Sequence, residues 1–220
     1  DSIGMKDLPD GINWYNYRLK RTTTTDMTAQ QIHDLGLKEV ARINDEMKQL
    51  VKDIKYKGSF EDFQDFLKTD KQFFYTKAED LLAGYRDIAK RIDPELIKIF
   101  GKLPRQPYGV VPVPAYSEKS QTTAYYNDGS IKAGRPGLFY ANTYDLKSRP
   151  KWEMEALTLH EAVPGHHLQI SLANEMENVP EFRKYGFYTA FIEGWGLYAE
   201  SLGYELGMYK DPYQKYGQLT

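Results

Sequence analysis

Prolines at 104, 107, 112 and 114 interrupt this 220-residue chain between two stretches with helical spacing. Proline fixes φ and lacks a backbone donor, so this run cannot continue a helix or sit mid-sheet. Around Val110, Val111 and Val113 it reads as extended chain or an edge strand. Thr123-Ala124-Tyr125-Tyr126-Asn127 before Asp128-Gly129 reads as strand and turn, and Gly137 to Asn142 as the next strand. The pattern predicts one domain over 1–220, mainly α (α+β). A helical subregion spans 1–100, a small antiparallel sheet 101–147, and a second helical subregion 148–220.

Thr28 and Gln31 form a capping-box pattern. Ile32, Leu35, Val40, Ile43, Met47, Leu50 and Ile54 follow at mostly three- and four-residue spacing, which predicts one buried helix face. Lys57-Gly58 ends that helix, and Ser59 caps the next, whose Phe60, Phe63 and Phe66 read as core. A third helix is expected from about Lys71 to Arg91. The stretch before Thr25 reads as polar and turn-rich. Beyond the sheet, Ser148 is expected to cap a helix running into His160. Further helices are expected over about 167–177, over about 188–208, and from Asp211-Pro212 onward.

Composition narrows the function classes. With 29 basic and 31 acidic residues the net charge is −2, which gives no footprint for nucleic acid or an anionic membrane. No apolar run is long enough to span a bilayer. The absence of cysteine excludes disulfides and thiolate metal ligands. The chain starts Asp1-Ser2-Ile3-Gly4, without Met, and ends inside an expected helix, so it reads as part of a longer protein.

Three of the four histidines lie in His160-Glu161-Ala162-Val163-Pro164-Gly165-His166-His167. Zinc hydrolases commonly use H-E-x-x-H, where histidines four apart share a helix face and the adjacent Glu moves protons. Here Pro164 occupies the fifth position. On an unbroken helix a residue six further on is rotated by about 240°, and one seven further on lies roughly 10.5 Å along the axis. Neither suits one ion, so Pro164-Gly165 must break the helix. His160 is the expected first ligand and Glu161 the general base. His166 is the expected second ligand, because Gly-His-x-Leu mirrors the end of the H-E-F-G-H-A-L helix of zinc oligopeptidases. His167 remains an alternative.

Two imidazoles leave room for a carboxylate ligand and a water. Glu193, between Phe191-Ile192 and Gly194, is the expected third ligand. Glu200, seven residues on and near the same face, can hold a ligand histidine. Glycines at 194 and 196 permit close approach. Tyr125, Tyr126, Arg135 and Tyr140 are candidates for contact with a substrate lying along the strand region. One divalent ion is implied, best suited to zinc.

The run Leu157 to Gln169 closely resembles the signature of the bacterial family named domain of unknown function 885. So do Ala190 to Glu200 with Leu202-Gly203, Thr23 to Asp26, Gly36 to Ile43, Pro107 to Pro114, and Gly134 to Asn142. The resemblance implies a fold like that of helical zinc metallopeptidases and a C-terminal-side portion of an exported, periplasmic or lipid-anchored protein. It also implies zinc-dependent cleavage of a peptide or small amide by the intact protein. The alternatives are hydrolysis of a non-peptide amide or ester, and a silent binding protein that retains the fold.

Overall fold

The computed structural model describes residues 4–220. The reading of the chain start as Asp1-Ser2-Ile3 lies outside the described residues. Helices α1 (Gly11–Thr23), α2 (Ala29–Asp53), α3 (Phe60–Thr69) and α4 (Ala78–Ile92) precede the sheet. α5 (Met154–Glu161), α6 (His166–Asn174), α7 (Glu181–Lys184), α8 (Thr189–Ser201) and α9 (Pro212–Gln218) follow it. The protein is therefore mainly helical with a small sheet.

The caps explain several boundaries. Thr28 and Gln31 form a reciprocal capping box at α2, and Ser59 and Asp62 form one at α3. Asp211 accepts from the Tyr213 N–H at the start of α9. Other boundaries differ from the sequence expectation. α1 occupies part of the stretch expected to be turn-rich. Ile12, Tyr15 and Leu19 recur there at helical spacing, but of the helix's residues only Gly11 is buried. The third helix begins at Ala78, because 71–73 form a separate 3₁₀ turn capped by Asp70. Ser148 closes a 3₁₀ turn instead of capping α5, which follows a second such turn at 151–153. α6 and α8 stop at Asn174 and Ser201, short of the expected ends. Beyond α8 the chain turns through Gly203, where a Cβ would meet Leu159 at 2.6 Å, and Gly207, whose φ is +71°.

The sheet has strands β1 (Tyr108–Pro112), β2 (Ala124–Asn127) and β3 (Gly137–Ala141). Its order is β1-β3-β2. β2 runs antiparallel to β3, but β1 runs parallel to it, so the sheet is mixed where a wholly antiparallel one was expected. The cause is topological. The chain leaves β1 through the turns at 114–121 and crosses to the far side before forming β2. β3 then returns between the two. β1, which ends in Pro112 and is flanked by Pro107 and Pro114, is an edge strand, in keeping with the place proline tolerates in a sheet.

Two apolar clusters hold these elements. One joins Leu81, Tyr85, Ile88 and Ile92 of α4 to Val110, Phe139 and Ala141 of the sheet, Met154 and Leu159 of α5, and Tyr209. The other joins Met47 and Val51 of α2 to Phe63, Leu67, Trp152 and Tyr216. Six of the eight residues of α5 are buried, the Glu155 carboxylate among them. Glu155 Oε1 accepts from Arg91 at 3.2 Å, and Oε2 accepts from the Tyr209 N–H at 2.7 Å. The apolar stripe of α2 is buried only in its C-terminal half: Leu35 and Val40 are exposed.

That asymmetry yields a stability contrast. Phe63 is 0% exposed and Val40 57%. Phe63→Ala should cost about 3–5 kcal/mol by leaving a cavity. Val40→Ala should stay within about 0.5 kcal/mol of the parent. Chemical denaturation monitored by circular dichroism measures both; equal effects would contradict the packing described.

Candidate metal centre

α5 ends where the Ala162 N–H donates to the Thr158 carbonyl at 2.9 Å. Across the gap the His167 N–H reaches the Ala162 carbonyl at 3.1 Å, and the Gln169 N–H reaches Gly165 at 3.1 Å as α6 begins. Ala162 (φ −99°, ψ −107°) and Gly165 (φ −74°, ψ −130°) are both non-helical. Gly165 is needed for close approach, not for its φ, since a Cβ there would overlap the His160 carbonyl. This break turns position 166 back toward position 160. The His160 and His166 rings stand 4.6 Å apart between centroids, at 90° to each other.

α8 packs against α5 and α6. Glu193, Gly196 and Glu200, at spacings of three and four, share the face toward His160. A Cβ on Gly196 would come within 2.6 Å of the His160 ring, whereas one on Gly194 would meet nothing within 4 Å. Of the two glycines expected to permit close contact, 196 does so. Glu193 Oε2 lies 3.4 Å from His160 Nε2 and 3.7 Å from His166 Nε2. Glu200 Oε1 lies 2.8 Å from His160 Nδ1. With Nδ1–H donated to Glu200, the Nε2 lone pair of His160 is directed toward Glu193.

His160, His166 and Glu193 each offer a ligand atom, and these atoms lie within 4.8 Å of one another. Donors about 2.1 Å from a tetrahedral ion sit roughly 3.4 Å from each other. The two separations from Glu193, 3.4 and 3.7 Å, lie at and slightly above that value, so the residues fit a zinc-sized ion after a small adjustment. The donor set, two imidazoles and a carboxylate, also suits zinc. The Glu193 side chain is 49% exposed, which leaves the cluster open on one flank.

The neighbouring charges are tuned by burial. Glu161 is 7% exposed. Burial pushes its pKa up to about 7; Glu193 and Glu200 reinforce this, while His160 and the Tyr126 backbone N–H oppose it. Glu161 Oε2 has no hydrogen-bond partner among the described residues. Burial also brings His166 down to about 4, aided by His160 and opposed by Glu193. His166 is therefore neutral near pH 7, as a ligand must be. For His160 burial acts downward, but the hydrogen bond to Glu200 and the charges of Glu161, Glu200 and Glu193 outweigh it, and its pKa rises.

His167, the alternative ligand, faces elsewhere. It is 1% exposed. Its Nε2–H donates to the Gln106 carbonyl at 3.0 Å. Nδ1 is then an acceptor, and the Tyr126 hydroxyl donates to it at 2.9 Å. Both nitrogens are engaged, so His167 ties α6 to the sheet. Tyr126 thus spends its hydroxyl on His167, and only its backbone faces Glu161. Tyr125 and Tyr140 stack on each other at 4.8 Å, on the face of the sheet opposite Tyr126. Arg135 is exposed in the turn before β3, and its backbone pairs with Ser130. Among the described residues no contact joins Tyr125, Arg135 or Tyr140 to the cluster. His33 is exposed on α2.

Three contributors were not legible as such in the sequence. The Trp195 indole N–H donates to the Pro164 carbonyl at 2.8 Å, inside the helix break. The Tyr209 hydroxyl donates to the Glu200 carbonyl at 2.8 Å. The Gln106 carbonyl receives His167. Only Trp195 had a signal, its place two residues after Glu193.

Residues 2–220 match the family described as "Bacterial protein of unknown function (DUF885)", and the chain belongs to it. A crystal structure from Colwellia psychrerythraea, described as that of a "putative lipoprotein", is similar at a TM-score of 0.93 and 31% identity. The match covers 98% of this chain and 38% of that one, so the chain spans well under half of that protein's length. No curated protein matches the chain.

The buried imidazole of His167 makes stability depend on pH. Burial lowers its pKa to about 4 in the folded chain. An unfolded histidine takes up its proton from about pH 6.5 downward. Between these values the unfolded state binds more protons, so this contribution to stability is lost as pH falls from about 6.5 to 4. His160, with a raised pKa, acts in the opposite sense. Replacing His167 with Gln should therefore make the fall in unfolding free energy between pH 7 and 5 shallower than in the parent, as measured by urea titrations at the two pH values. A steeper fall in the variant would contradict the assignment of His167 as a neutral buried group.

Proposed function

We propose that the protein is a zinc-dependent hydrolase, most directly a metallopeptidase acting on a peptide or small amide. The observation that carries this reading is the convergence of His160 Nε2, His166 Nε2 and Glu193 Oε2, with the buried carboxylate of Glu161 next to His160 in the chain. His160, His166 and Glu193 would hold the ion. Bound zinc supplies Lewis acidity to a water and to a scissile carbonyl. Glu200 fixes the His160 ring and its tautomer. Glu161, poised near neutrality, takes the proton from the attacking water and delivers it to the departing amine.

β2 is an edge strand, and its Tyr126 N–H faces Glu161. An extended peptide can pair along such an edge, which favours a peptide over other acyl substrates. On this reading the fold is akin to that of the helical zinc peptidases. The Colwellia protein's description as a "putative lipoprotein" supports an exported, periplasmic or lipid-anchored place for the intact protein. No helix among the described residues is long and apolar enough to cross a membrane.

Two measurements test the reading. Purified chain dialysed against zinc should retain one ion, and Glu193→Ala should bind it roughly 100-fold more weakly. Glu161→Gln should keep the ion and lower peptide hydrolysis by the intact protein by at least about 100-fold, the scale of a lost general base. Zinc content comes from elemental analysis and turnover from a peptide library. A Glu161→Gln enzyme with parental turnover would remove Glu161 from its role.

A further inference from the structure

Glu193 is the least supported of the three candidate ligands. His160 is held by Glu200, and His166 is buried against the helix break. Glu193 is 49% exposed, and among the described residues its carboxylate meets only the two imidazoles. Its place must therefore be set by the backbone of α8. That turn of α8 is intrinsically weak, because residues 194 and 196 are both glycine, each costing about 1 kcal/mol of helix propensity relative to alanine.

Between those glycines stands Trp195. Its indole N–H donates to the Pro164 carbonyl at 2.8 Å. The ring packs beside Phe100 and Tyr198, with centroids at 6.5 and 5.7 Å, against the larger apolar cluster. Pro164 lies in the break that brings His160 and His166 together. Chain breaks leave carbonyls without helical partners, and this one is satisfied from α8 itself, two residues after Glu193. One hydrogen bond thus links the loop that sets two candidate ligands to the helix that carries the third.

We propose that Trp195 is the positioning residue of the metal centre, holding Glu193 in register with His160 and His166 through its indole N–H. This rests on the zinc reading above. The residue touches neither the candidate ligand atoms nor Glu161; it acts through the placement of Glu193.

The test is a zinc-affinity cycle on the whole chain, measured by competition with a chromophoric chelator. The proteins are wild type, Trp195→Phe, Glu193→Ala and the double variant. Trp195→Phe should weaken zinc binding roughly 10-fold or more, as lost support of a ligand does. In the Glu193→Ala background the same change should have no further effect. Cobalt substitution should show altered visible absorption in Trp195→Phe, reporting changed ligation. Benzothienylalanine at 195 keeps the bicyclic ring and lacks the N–H; it should reproduce the loss, which separates the hydrogen bond from ring packing and from misfolding. Parental affinity in both Trp195 variants overturns the proposal alone. So does a loss that is equal with and without Glu193, since that marks general destabilisation. A wild-type chain that takes up no zinc overturns the zinc reading, and the proposal with it.

Discussion

The close contact of Gly165 with the His160 carbonyl is the constraint on which the site depends. A helix continued through 162–165 would carry His166 around the axis and away from His160. With the break, the two rings meet nearly edge to face, and the next helix starts at His166. Any side chain at 165 would force the two backbones apart and separate the imidazoles. The position is therefore fixed by steric exclusion, and proline before it ensures that no helical donor competes for the preceding turn.

Around this break the protein uses polar contacts where apolar packing alone would leave freedom. Glu155, buried in α5, accepts from Arg91 and from the Tyr209 backbone. Tyr209 in turn donates to the Glu200 carbonyl, and Glu200 holds His160. On the other side His167 binds Gln106 and Tyr126, fixing α6 against the sheet. Glu155, Glu200 and His167 each have a partner whose loss would leave a charge or donor stranded. The elements bearing His160 and His166 are thus tied on two flanks, while the flank bearing Glu193 is open.

Much of this was legible in the sequence for local reasons. The boxes at Thr28 and Ser59 involve residues three apart, and the prolines that mark β1 act on their own backbone. The cluster was legible because Pro164-Gly165 makes only one kind of chain path compatible with nearby imidazoles. Where long-range packing decides, the reading failed. Leu35 and Val40 keep the stripe spacing of α2 but find nothing to pack against. The direction of β1 depends on a crossover that no periodicity records. His166 and His167 are adjacent, and partners distant in sequence, the Gln106 carbonyl and the Tyr126 hydroxyl, turn one of them to the sheet. Trp195 and Tyr209 donate to backbone carbonyls, and the sequence does not record which carbonyl each reaches.

The half-exposed carboxylate of Glu193 has a kinetic consequence. On the zinc reading, an ion approaching from solvent would meet this acid first and pass to the two imidazoles by rotation about side-chain bonds, with the core left closed. Entry and escape on such a path would be set by diffusion and rotamer exchange, so occupancy would follow the free ion concentration outside instead of being trapped when the chain folds.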